Sequence, residues 1–456
     1  MSRDWTAFTI FWGVWLLVPI LIDGLTTLFQ IIGSAWASRR SKKQSTANPA
    51  HAYDPLVSIL VPVYNSERTL RRCLQALCQQ TYPQDRIEII VIDNGSTDGS
   101  LGVLDDESLQ TFKGTLTRIA IPDRGKAWAL NAGIHVAHGS LIFNVDADTA
   151  LDSDAVRQMT RAFESDPSLI SATGVIEVLP TEDPAPNFLK ALLAECEYVE
   201  YLASFKVGRV YQSLNNNLYT LAGAFSAFRR EVLLKTFLYS QRTVTEDTDM
   251  TFDLHQRLRE GHIACVPDAI AFVEPVPSLR ALYSQRVRWQ RGELEVIALH
   301  EEMLSNRNFL RVSGLAPERL LLIDHTLSFP RLAWLFFFPM LAFFGYSLAL
   351  VIQAALFMYA FYMLTEGLWF LTTFWLSEPS ARQRLRRNAW VFAFMPLYRF
   401  LIFWLRLAGF LAAQAEPPNW RVTDPVTLTQ AGLRDARLKV QQGLSMLIAL
   451  IGLTTR

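Results

Sequence analysis

Apolar runs of two lengths organise this chain. Short ones recur between about residues 57 and 145, and much longer ones flank them. Val57–Val63, Ile87–Ile92, Leu116–Ile121 and Leu141–Val145 are rich in β-branched residues and too brief for helices, so they predict buried strands. Between the first two, Thr69, Leu70, Leu74 and Leu77 fall at helical spacing behind Ser66, a residue type that caps helices. Ala127–Val136 reads as a second helix. Strands alternating with helices predict an α/β domain on a mainly parallel, doubly wound sheet. Ligands of such sheets bind beyond the carboxyl ends of the strands, where Asp93 and Asp146 stand.

The long runs have the dimensions of a bilayer, which takes about 20 apolar residues to cross. Phe8–Trp36 is broken only by Asp23 and Gln30, and Arg39, Arg40, Lys42 and Lys43 follow at once. Positive charge marks the cytoplasmic end, so residues 1–37 are expected to form an anchor with its N-terminus outside. A cleaved signal peptide, with Ala35-Trp36-Ala37 as its small-x-small site, is the rival reading. The run is too long for one, and the only basic residue ahead of it, Arg3, is offset by Asp4. Residues 38–55 read as a polar linker, 56–300 as a cytoplasmic domain, and 301–326 as interfacial helices. Leu327–Leu376 suits two spans with a tight turn. Arg382, Arg384, Arg386 and Arg387 then return the chain to the cytoplasm, as two crossings require. Residues 390–413 carry Pro396, Arg399 and Arg406 and are either a further span or a helix lying in the interface. Residues 414–456 are read as an amphipathic tail.

Composition agrees. Half the residues are hydrophobic and 12% aromatic, which leans toward a membrane protein, and a net charge of zero implies no polyanion or nucleic-acid surface. Cys73, Cys78, Cys196 and Cys265 match no zinc or haem spacing and suit a reduced, cytosol-facing domain.

The candidate chemistry is acidic, basic and aromatic in turn. Asp146-Ala147-Asp148 offers two hard oxygen ligands on one side of an extended segment, suited to Mg²⁺ or Mn²⁺ shared with substrate phosphates. Alone it is equally a solvated loop, and Asp93-Asn94-Gly95 equally a turn. Gly125-Lys126 opens the second helix, where an anion suits the N-terminus; a simple cap with a solvated lysine competes. Thr245-Glu246-Asp247 and Gln285-Arg286-Val287-Arg288-Trp289 follow. Taken singly, the second reads as interfacial aromatic and surface charge.

In order, these motifs resemble family 2 glycosyltransferases of the GT-A fold, over residues 57–292. The set is Pro62-Val63-Tyr64-Asn65, Ile92–Asp98, Gly125–Asn131, Asp146-Ala147-Asp148, Ala222-Gly223-Ala224 before Phe228-Arg229-Arg230, Thr245-Glu246-Asp247 and Gln285–Trp289. The last two resemble the membrane-embedded branch that includes cellulose, chitin, hyaluronan and poly-N-acetylglucosamine synthases. No single motif is specific; the ordered set is.

The resemblance implies a Rossmann-like GT-A domain flanked by transmembrane helices in the inner membrane. It implies inverting, metal-dependent transfer from a UDP-sugar to a growing extracellular polysaccharide. Tyr64 and Asp93 would contact uridine; Lys126, Gln285 and Arg288 would hold the diphosphate. Asp146 and Asp148 would bind nucleotide and metal, with Asp148 the direct ligand. Asp247 would be the general base beside Glu246. Trp289, Gly223 and Ala224 would form the acceptor site. With three or four spans, an exit path would call for an oligomer or an accessory export subunit, and Pro417–Arg421 is a candidate gating loop. Transfer of one sugar to a lipid acceptor is the alternative within enzymes. An inactive scaffold is the alternative outside them, and the intact Asp146, Asp148, Asp247 and Arg288 oppose it.

Overall fold

The computed structural model describes residues 54–300 apart from 123, 183–185, 215 and 259–260, then residues 339–415. Of the first segment it describes residues 6, 20–25, 27, 28, 31–33 and 35. Most of the anchor and linker, residues 301–326, the first part of the 327–376 run, Pro417–Arg421 and the tail lie outside the described residues.

The predicted strands form where the short runs stand: β1 Val57–Val63, β2 Ile87–Asp93, β3 Thr115–Ala120 and β4 Leu141–Val145. The helices between them are α1 Glu67–Cys78 and α2 Lys126–Val136. Ser66 takes the N-cap position of α1, yet its hydroxyl turns back to the Tyr64 carbonyl at 3.2 Å and caps nothing. The capping acceptor comes from across the fold: Asp98 Oδ2 accepts from Glu67 N at 3.1 Å. That substitution ties the start of α1 to the loop after β2.

β1 pairs in parallel with both β2 and β4, and β2 with β3. Beyond β4 the sheet departs from the expected parallel pattern. β7 (Phe225–Arg229) runs antiparallel to β4 and to β6 (Leu169–Val178). β8 (His262–Val273) pairs in parallel with β6, and β5 (Ala150–Leu151) closes the edge in order β3-β2-β1-β4-β7-β6-β8-β5. An antiparallel strand beside β4 carries Ala222-Gly223-Ala224 to the carboxyl end of β4, where a parallel one would have carried it away. β2 and β6 are buried along their whole lengths, as strands covered on both faces are.

α3 (Ala155–Ser165), α4 (Phe188–Tyr201), α5 (Glu246–Arg257) and α6 (Leu279–Leu299) complete the domain. After it come α7 (Leu348–Leu376) and α8 (Met395–Ala415); among the described residues these two contain the stretches long and apolar enough to cross a membrane. A turn at Leu341–Gly345, with Gly345 at φ 92°, precedes α7. The basic helix Pro379–Arg387 packs on the domain: Arg384 pairs with Glu195 at 2.9 Å, donates to the Val178 carbonyl and lies over the Tyr198 ring. Asp23 of the first apolar run accepts a hydrogen bond from Tyr362 of α7 at 2.7 Å.

Candidate active site

A cavity of about 2130 Å³ opens where β1, β2 and β4 end. Backbone geometry brings its motifs there. Asn65 adopts a left-handed conformation (φ 49°), and its carboxamide accepts from Thr97 N at 2.8 Å, joining the loops after β1 and β2. Asn94 accepts from Gly125 N at 3.0 Å. Gly125 has φ 148°, and a Cβ there would meet the Gln241 amide at 1.8 Å, so the turn into α2 demands glycine.

Tyr64, Lys126, Asp146, Asp148, Gly223, Ala224, Glu246, Asp247, Gln285, Arg288 and Trp289 all line this cavity. Asp93 does not. It is buried behind the wall, and its carboxylate accepts from Ser96 N at 3.0 Å, closing a turn that presents Asn94 instead. Asp146-Ala147-Asp148 is a turn rather than the extended segment expected, with Thr149 N bonded to the Asp146 carbonyl at 2.9 Å. Both carboxylates face the cavity all the same, Asp148 the more exposed.

Lys126 is the hub of the charges. Its ammonium lies 2.6 Å from Asp146 and 3.1 Å from Glu246. Burial works against that charge, and the two carboxylates outweigh it, holding the lysine above its ordinary range. Asp146 is pushed up to about 6, first by burial and against the pull of Lys126, with Asp148 adding to the rise. Asp247 is raised too, by burial and then by Glu246. Its Oδ2 accepts from Gly223 N at 3.0 Å and its Oδ1 from Thr248 N at 2.8 Å, so the orientation of the carboxylate is set by backbone. Gly223 permits that approach: a Cβ would stand 3.1 Å from both Asp247 and the Lys126 ammonium.

α6 and the Thr245-Glu246-Asp247 loop are packed as one unit. Gly292 is pressed so closely on Thr245 that a Cβ would lie 2.4 Å from its side chain. Fully buried Arg291 pairs with Glu295 at 2.9 Å, and Glu295 accepts from Val244 N at 2.9 Å. One turn on, Asp249 of α5 is gripped by Arg242 at 2.7 and 2.8 Å and by His300 at 2.9 Å. Toward its N-terminus the same face of α6, at i, i+3 and i+4 spacing, presents Gln285, Arg288 and Trp289 to the cavity.

Several wall residues carried no local signal. Glu200 and Tyr201 sit in an ordinary helical stretch. Glu366 and Arg399 do carry one, a charge within an apolar run, which marks function or pairing. The cavity continues along one stripe of α7, through Trp369, Glu366, Tyr362, Met358 and Ala355.

The half-parallel sheet, with an acidic turn beyond β4 where basic and acidic groups gather, has the GT-A fold. Residues 58–237 match the family model described as glycosyl transferase family 2. A poly-beta-1,6-N-acetyl-D-glucosamine synthase of Staphylococcus epidermidis is 29% identical over 53% of this chain and 55% of its own length. The synthase of that name from Staphylococcus aureus (strain COL) is 27% identical over 63% of this chain and 66% of its own. The chain thus spans about half the length of the first of the curated relatives it matches. Among solved structures, the mannosyltransferase PcManGT of Pyrobaculum calidifontis, in complex with GDP-Man and Mn2+, superposes with a TM-score of 0.51. It shares 18% identity, over 85% of this chain and 96% of that one, a likeness of fold.

Proposed function

We propose that this protein transfers a sugar from a UDP-sugar to the end of a growing β-linked polysaccharide at the cytoplasmic face of the inner membrane. N-acetylglucosamine is the sugar that the relatives' names favour. The carrying observation is the shape of the cavity. It joins the charged cluster at the strand ends to a stripe of α7 running from Trp369 to Ala355, fourteen residues or about 20 Å of helix. A site for one nucleotide-sugar has no use for that depth; a lengthening acceptor does.

In this reading Tyr64 and the loop anchored by Asp93 receive the uridine, and Lys126, Gln285 and Arg288 the diphosphate. Asp247 accepts the proton of the acceptor hydroxyl as it attacks the anomeric carbon, with Glu246 beside it. Trp289 supplies an apolar face for the acceptor ring, and Gly223 and Ala224 leave it room. The donor set fits a divalent cation. Asp146 and Asp148 offer two hard oxygens, and among the described residues no group of three or more histidine, cysteine or carboxylate side chains converges into a complete cage. Substrate phosphates and water would fill the remaining positions, as Mg²⁺ and Mn²⁺ prefer. When bound, the cation offsets negative charge growing on the departing diphosphate.

The test is to incubate purified membranes with a panel of radiolabelled UDP-sugars and size the product. A ladder or polymer built from UDP-N-acetylglucosamine, abolished by EDTA, is expected. A single labelled glycolipid would sink the polymer reading in favour of a lipid acceptor, and no incorporation would sink both.

A further inference from the structure

Next to the cavity lies a buried ionic chain that the proposed chemistry leaves unused. Arg286, the buried arginine of Gln285–Trp289, donates to Glu200 Oε2 at 2.7 Å. Tyr398 of α8 donates to the same oxygen at 2.8 Å. Arg399 of α8 reaches Glu200 Oε1 at 3.4 Å and Glu366 of α7 at 3.2 Å. Three elements, α4, α6 and α8, thus meet at one carboxylate, and Arg399 extends the chain to α7. The guanidinium of Arg286 also lies over the Trp289 ring, 4.6 Å from the centroid, with the Tyr201 ring farther off at 5.8 Å. Phe205 and Tyr201 bound that indole at centroid distances of 6.5 and 6.3 Å.

We propose that Glu200 is a positioning residue for the acceptor platform. It holds Arg286 across one face of Trp289, so that the indole is fixed in tilt and presents its other face to the acceptor sugar. The inference rests on the reading of Trp289 as acceptor platform and adds what sets its geometry. A buried guanidinium with no carboxylate partner does not stay in place, because the hydration it has lost is uncompensated. Without Glu200 it is drawn toward Glu197 or the open cavity, and the indole is released with it. Tyr398 and Arg399 make the platform depend on α8, so the tilt of the indole is coupled to helices outside the transferase domain.

The test uses the full chain in detergent, with UDP-N-acetylglucosamine as donor and short β-linked N-acetylglucosamine oligosaccharides as added acceptor. Glu200→Gln is nearly isosteric and keeps an acceptor for Tyr398, so it is the variant of choice where Glu200→Ala does not fold. The acceptor KM should rise roughly tenfold, the scale of one charge-assisted hydrogen bond. UDP affinity, read by calorimetry, should stay unchanged, and Glu200→Asp should restore part of the loss. In a double-mutant cycle, Glu200→Gln with Arg286→Ala should cost no more than Arg286→Ala alone. An unchanged acceptor KM, an equal loss of UDP binding, or additive effects would each overturn the proposal. Trp289→Ala separates the two levels. If it raises the acceptor KM and Glu200→Gln does not, the clamp fails and the platform stands; if Trp289→Ala leaves the acceptor KM as in wild type, the platform itself is wrong.

Discussion

At the scale of single residues, the site is a group of charges that hold one another away from their ordinary behaviour. Among the described residues Asp247 has no cationic partner in hydrogen-bond range, since Lys126 is engaged by Asp146 and Glu246. Burial and Glu246 therefore raise its pKa, which improves it as a base near neutral pH. The sign follows. A base acts ionised, so turnover should be full above the folded-state pKa and fall as pH drops through it, at a midpoint above the roughly 4 of an ordinary aspartate. Since Asp146 and Asp247 are both raised and share the neighbourhood of Lys126, that limb belongs to the pair and not to one carboxyl. A pH profile of kcat/KM flat down to the ordinary carboxylate range would contradict it. Asp247→Asn should lower transfer by about 10²–10⁴-fold while UDP still binds; normal turnover would end the assignment of the base. The residues themselves were legible in the sequence as an ordered set. What was not legible was Asp93 lying behind the wall, because a strand-end aspartate can face the ligand or close its own turn, and only the path of the next loop decides.

At the scale of elements, motifs of the cavity that are far apart in sequence are made into one body by small residues. Gly292 lets α6 press on Thr245 and Gly409 lets α8 press on α6, where a Cβ would stand 2.8 Å from Gln290. The Thr245-Glu246-Asp247 loop and the Gln285–Trp289 motif are therefore held together. Gly292→Ala should cost about 1–3 kcal/mol of stability by overpacking and should lower kcat more than donor affinity. Thermal unfolding and turnover on one preparation check it, and a variant as stable and active as wild type would mean the two motifs are not held at that distance. The short strands were readable because their β-branched runs are local signals. The antiparallel β7 was not, since its direction depends on pairing across the sheet and leaves no mark in its own residues. The Glu200 chain was hidden for a like reason: Arg286, Glu366 and Arg399 each stand out locally, but they come with Glu200 from four elements and nothing in the sequence says that they meet.

At the scale of the whole molecule, the open question in the sequence was whether residues 390–413 cross the bilayer or lie along it. Length does not decide, because 21 residues of α8 measure about 31 Å, enough for either. The contacts favour the second. Tyr398 and Arg399 meet Glu200, Arg406 donates to Gln290 at 2.7 Å, and Gly409 abuts Val287 and Gln290. α8 therefore follows α4 and α6 for at least eleven residues, some 16 Å. A crossing helix could do so only if α6 entered the hydrocarbon too. With Arg280, Arg286, Arg288, Arg291, Glu293 and Glu295 in its 21 residues, α6 is far too charged for that. Meanwhile Leu397, Phe400 and Leu411 remain exposed on α8, an apolar face of the kind that beds into headgroups. α7 differs: its basic end is bound to the domain through Arg384, and Leu348 lies 28 residues, about 42 Å, along the helix from Leu376. On this reading both ends of α8 stay on the side of the transferase domain, and only α7 of the pair crosses. Single cysteines at Leu348, Gln383 and Gln414 test the arrangement, with low background because Cys73, Cys78, Cys196 and Cys265 are all buried. In intact cells an impermeant maleimide should label Leu348→Cys alone, and Gln383→Cys and Gln414→Cys should react only in inverted vesicles. Labelling of Gln414→Cys from outside would make α8 a span after all, and the long contact with α6 would then need another cause.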